Sequence, residues 1–143
     1  MVRAFVPLVI DGEPTLLAGF TCTPLLRIPI KSLEPGAKVR GTTVAELGNR
    51  NRPLDMIVYE KDGARYVLMA NSARGVMKIT LDKVGDNPGL SEPVKGGGTP
   101  GQPFETIAEL PGVEHLAQRD DAHAIVLARG ENGALDLRTI TLP

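Results

Sequence analysis

Residues 57–81, IVYEKDGARYVLMANSARGVMKITL, lie without a gap over residues 6–30, VPLVIDGEPTLLAGFTCTPLLRIPI. Asp62-Gly63 falls on Asp11-Gly12, and Val76-Met77-Lys78-Ile79 falls on Leu25-Leu26-Arg27-Ile28. A third copy is legible in residues 113–142. There Ile125-Val126-Leu127-Ala128 answers Val67-Leu68-Met69-Ala70, and Arg138-Thr139-Ile140-Thr141-Leu142 answers Met77-Lys78-Ile79-Thr80-Leu81. One structural unit is therefore written three times, and the fold is one that sets like units side by side.

The unit itself is made of strands. In the middle copy, residues 54–59 read as a strand and Glu60-Lys61-Asp62-Gly63 as a hairpin turn, Asp-Gly supplying the positive φ. Residues 65–70 read as a second strand, 71–75 as a polar connection and 76–81 as a third strand. Residues 42–47 (TTVAEL) and 105–110 (ETIAEL) read as bridging strands, each placed before the next unit begins. No window keeps an i, i+3, i+4, i+7 pattern for the roughly 11 residues a helix needs, and Pro and Gly interrupt each candidate. A repeat of roughly 40–50 residues built from short strands is the signature of a β-propeller blade. The expected fold is all-β and β-propeller-like: about three blades of antiparallel strands, part of a larger or self-associated ring. The chain reads as a single unit over 1–143, with repeats at about 4–35, 42–84 and 105–143.

Three blades are too few to close a ring, since propellers hold about 4–8. The chain opens on a first strand and closes on a third strand at 137–142, which fits the last three blades of a longer propeller. Standing alone, the outer blades expose apolar flanks and unpaired edges. The alternatives are a homo-oligomer, for instance two chains forming six blades, or another compact β-fold. The stretch 86–103, DNPGLSEPVKGGGTPGQP, reads as a flexible surface loop, a candidate lid or docking segment.

Composition narrows the function classes. A net charge of −1 argues against a general nucleic-acid or anionic-membrane surface. Two Tyr, three Phe and no Trp leave little for a base-stacking platform. The core must be built from Leu, Val, Ile, Met and Ala. No apolar run reaches the roughly 20 residues of a membrane span. The single Cys22 excludes an intrachain disulfide and does not identify the compartment.

The segment Arg52-Pro53-Leu54-Asp55-Met56-Ile57, followed by Asp62-Gly63, Tyr66-Val67-Leu68-Met69-Ala70-Asn71-Ser72 and Val76-Met77-Lys78-Ile79, resembles the repeat of YVTN-type propellers. In those a Pro starts the inner strand, a "dG" turn follows, and "YVaN" leads to a strand ending "V.vid". The resemblance covers the middle unit well and the others weakly. It implies a fold. Its members include surface proteins, lactonase-like enzymes and quinoprotein-related subunits, so it carries no single function. It also implies a periplasmic or extracellular location if the chain belongs to an exported propeller.

Strands of a blade alternate in direction. The connection between second and third strands therefore shares one end of the molecule with the connection that enters the next unit. That end receives Cys22, Asn71 to Arg74, Arg129 to Asn132, Asn49 to Arg52 and Pro111-Gly112, while the Asp-Gly turns lie at the other. Asn49, Arg50, Asn51, Arg52, Asn71 and Arg74 can form an anion pocket, because guanidinium groups hold carboxylate or phosphate in a bidentate manner; the same residues also serve as ordinary loop hydrogen-bonders. Asp55, with Asn51 and Asn71, can offer oxygen ligands to Ca²⁺, as in lactonase-type propellers. One carboxylate among amides is little charge for a metal, and the plainer account is an Asp bonded to loop amides, with no cofactor. Cys22 has no evident base, and His115 and His123 lack ligand spacing. Gly96-Gly97-Gly98 has no following Lys-Ser/Thr, and no Gly-x-Ser-x-Gly elbow occurs. The expectation is a non-catalytic binding or scaffold module that presents this end to a protein or small anionic ligand. The alternative is part of a propeller enzyme, a metal-assisted lactonase or hydrolase or a quinoprotein-like oxidoreductase.

Overall fold

The structure, a computed structural model, describes residues 1–143 apart from the side chains of Thr23 and Asn51. It contains three antiparallel sheets in chain order. The first is β1 (Val2–Ile10), β2 (Glu13–Phe20), β3 (Cys22–Pro29) and β4 (Thr42–Asn51), with one 3-10 turn at Ile30–Ser32. The second is β5 (Pro53–Lys61), β6 (Ala64–Asn71), β7 (Gly75–Thr80) and β8 (Phe104–Ile107). The third is β9 (Val113–Gln118), β10 (His123–Arg129) and β11 (Leu135–Thr141). Each sheet is an up-and-down meander in which sequence neighbours pair.

Local sequence explains the hairpins. Asp11 and Gly12 take φ of 49° and 78°, and Asp62 and Gly63 take 52° and 75°. Two successive positive φ values make the tight turn whose twist matches that of the flanking strands, and Asp-Gly tolerates it best. The second bridging strand is shorter than its sequence suggests. β8 stops at Ile107, and a turn closed by Leu110 N–H donating to Ile107 O (3.2 Å) folds Leu110 into the core.

The sheets stack face to face. Along β6 the run Val67-Leu68-Met69-Ala70 is fully buried, and it alternates between two cores. Val67 and Met69 join Leu17, Leu25 and Val44 of the first sheet. Leu68 and Ala70 join Leu116, Ala124 and Val126 of the third. The middle sheet is thus apolar on both faces, which is why its strand reads as an unbroken apolar run rather than an alternation. The first strands are neighbours in series: β5 lies against β1 on one side and β9 on the other.

The pairing corrects the alignment of the third copy by one residue. Val67 pairs with Ile79, and Ala124 pairs with Ile140. With Ile140 answering Ile79, it is Ala124 rather than Ile125 that answers Val67. A one-residue slip exchanges the two faces of a strand. Val126 accordingly faces the second sheet, whereas Leu68 faces the third.

The segment between β7 and β8 runs along the outer edge of β4. Leu90 N–H donates to Thr43 O, Gln102 N–H to Val44 O and Glu46 N–H to Pro100 O, each at 2.9 Å. Gly101 forms an antiparallel bridge with Ala45. Arg27 clamps the start of the segment, donating to the carbonyls of Val84, Gly85 and Asn87. The stretch 86–103 of the second unit therefore covers the edge of the first.

Candidate functional site

Three connections converge at one end of the stack. Residues 71–73, 75, 111–114 and 129–131 line a groove of about 580 Å³ between the second and third sheets. The Asp-Gly turns lie at the opposite end, where Asp11 and Gly63 border a smaller pocket of about 310 Å³ with Asp82 and Asp86.

On the first end, between the first and second sheets, Arg74 projects from the connection between β6 and β7 and its guanidinium lies directly on Gly48 of β4. A Cβ at Gly48 would stand 2.7 Å from Arg74 Cζ, so a side chain there would have to push the guanidinium aside. Gly48 is buried and has φ of 85°, and Arg50 two residues on has φ of 61°. These two left-handed residues turn the end of β4 toward Arg74. Arg74 Nε is shielded from solvent and has no hydrogen-bond partner among the described residues. Among the described residues, no carboxylate pairs with Arg50, Arg52 or Arg74. Asn49 turns its amide toward the backbone of Gly97 in the segment along β4.

Asn71 sits beneath this surface, 3 % exposed. Its Oδ1 accepts from Ala73 N–H (2.9 Å) and from Arg52 N–H (3.3 Å), and its Nδ2 reaches Met77 Sδ. Ser72 N–H donates to Arg52 O at 3.0 Å. Asn71 thus ties the two connections that carry Arg52 and Arg74. The side chain of Asn51, also singled out from the sequence, lies outside the described residues.

Asp55 is engaged by backbone amides. Oδ1 accepts from Met56 N–H and Oδ2 from Leu116 N–H, both at 2.9 Å, so the carboxylate joins β5 to β9. His115 Nδ1 lies 3.6 Å from Oδ2. Among the described residues, no group of three or more His, Cys, Asp or Glu is placed to hold a metal ion. Cys22 is exposed, has φ of 91° and carries a free thiol. His123 Nδ1 is 2.8 Å from Asp120 Oδ1 in the turn between β9 and β10, which accounts for it structurally.

Across the 580 Å³ groove, the one guanidinium is matched. Arg129 holds Glu114 through Nε–Oε1 (2.7 Å) and Nη2–Oε2 (3.1 Å), and its Nη1 donates to Gly133 O (3.0 Å). The hydrogen bond from Arg129 holds the Glu114 carboxyl below the usual glutamate range, and the same bond raises Arg129. The Glu114 pairing is not legible in sequence, because a bulge between Leu127 and Ala128 shifts the register of β9 against β10. The arginines of this end therefore differ: Arg129 in the groove is neutralised by Glu114, whereas Arg50, Arg52 and Arg74 have no acidic partner among the described residues.

No helix among the described residues is long and apolar enough to cross a membrane. Compared with protein-family models, with curated proteins and with solved structures, the chain matches none.

Proposed function

We propose that the three sheets are consecutive blades of a YVTN-type β-propeller, and that the chain is a non-catalytic binding module. Its loop end takes an anionic group, a carboxylate or phosphate of a small molecule or protein partner, on Arg50, Arg52 and Arg74, with Asn49 at the margin. The blade reading is supported by the serial contact of first strands, the meander of each sheet and the placement of matching connections at one end. The carrying observation for the ligand is Arg74: a guanidinium packed against a glycine, with Nε out of solvent and without a partner among the described residues. A shielded donor without an acceptor is costly, by about 1–3 kcal/mol, and an anion that completes it recovers that energy. The planar fork of arginine suits carboxylate and phosphate oxygens, and burial strengthens such charge-assisted bonds. Asn71 holds the loops in place from below rather than meeting the ligand.

The test is calorimetric titration with inorganic phosphate and with citrate. The wild-type chain is expected to bind at least one of them, and Arg50→Ala combined with Arg74→Ala to weaken binding tenfold or more, about 1.4 kcal/mol. The circular dichroism spectrum should be unchanged. Absence of binding by the wild-type chain, or equal binding by the double variant, would refute the proposal.

A further inference from the structure

The second sheet is covered on both faces, while the first and third are each covered on one. The uncovered face of the first sheet carries Phe5, 61 % exposed, with Val9 exposed beside it. Phe5 stands at the repeat position of Met56, and Leu26 at that of Met77. Met56 and Met77 are among the residues by which the second sheet docks on the first. The uncovered face of the third sheet carries Ile125 and Leu137, the latter 75 % exposed. By strand pairing, Ile125 occupies the position of Leu68 and Leu137 that of Val76. Leu68 and Val76 are among the residues by which the second sheet docks on the third.

The first and third sheets thus expose the two complementary halves of a joint that the chain already makes twice within itself. Its two open faces continue an established sheet-to-sheet interface, one in each direction. We propose that two copies of this chain join head to tail, the third sheet of each on the first sheet of the other. The two joints are equivalent by two-fold symmetry and close six sheets into a ring. This rests on the blade reading above and is independent of the anion site. The occupant is a second copy because the chain itself supplies both faces, and because an apolar joint used in both directions closes when the rotation allows and otherwise grows into open chains.

Light scattering tests it. The chain has a mass of 15.2 kDa, and the wild-type protein is expected at twice that value. Phe5→Glu and Leu137→Arg each alter a side chain that is exposed in the single chain, so each variant should fold. Each should halve the mass while keeping the circular dichroism spectrum. An equimolar mixture of the two should return the double mass, because one joint is then untouched and the other pairs Glu with Arg. A wild-type protein at the single-chain mass would overturn the inference. So would either variant retaining the double mass, a mixture that fails to restore it, or a ladder of larger species. Titration of the same samples with phosphate and with citrate separates the two proposals. A single-chain wild type that binds either one sinks the ring alone, and a pair that binds neither sinks the anion site alone.

Discussion

Gly48 shows how one position carries both a backbone and a site requirement. Its φ of 85° disfavours any L side chain, and Arg74 fills the place of its missing Cβ. Gly48→Ala is expected to cost about 1–2 kcal/mol from the left-handed backbone and to displace the guanidinium. Phosphate affinity should fall as far as in Arg74→Ala. Urea denaturation and calorimetry on the two variants check this; an alanine variant that binds like the wild type would refute the role of Gly48. The sequence names Arg74 and Asn71 as loop polar residues, yet their roles diverge. Asn71 has its amide inside, bonded to Ala73 and Arg52, whereas Arg74 has a shielded nitrogen with no partner. Burial separates the two, and burial depends on residues in other strands.

The strands follow local rules closely. Turn chemistry, alternation and the spacing of Asp-Gly pairs point to the strands, with ends shifted by a residue or two except in the bridging strands, where β4 runs on to Asn51 and β8 stops at Ile107. The element that sequence describes least is the segment from β7 to β8, whose composition is that of a loop but whose backbone pairs with β4. Gln102 fastens it. Its Nε2 donates to Thr80 O and Asp82 O, and its Oε1 accepts from Asn87, all at 3.0 Å. Gln102 is buried, so Gln102→Ala takes this donor from two carbonyls and one of its two acceptors from the Asn87 amide, which keeps Val44 O. The expected loss is about 2–3 kcal/mol of stability, read from the urea midpoint. A change below about 0.5 kcal/mol, the range of ordinary surface substitutions, would show that the segment is not a structural part of the first sheet's edge.

Across the whole molecule, the middle sheet separates two cores. Leu17 lies in the core between the first and second sheets and Leu116 in the core between the second and third. Leu17→Ala and Leu116→Ala should each cost about 2–5 kcal/mol, from lost burial and the cavity left behind. Because the two sites share no partners, the double variant should lose the sum to within about 0.5 kcal/mol. Strong non-additivity in denaturation would mean that the second sheet transmits strain between the cores and that the sheets do not behave as independent layers.

The sequence by itself determined the repeat, the strands, the hairpin turns and the end of the molecule at which the Asn and Arg residues gather. These depend on period, turn type and strand direction, all of which act over a few residues or recur at a fixed spacing. Only the tertiary structure decided which face of β10 meets the second sheet, that residues 86–103 cover β4, that Asp55 joins β5 to β9, and that Arg74 is unpaired while Arg129 is not. Each of these turns on a bulge, a one-residue register or a contact between distant segments. In a chain of period two, a single residue of shift exchanges inside for outside, and no local pattern records where that shift occurs.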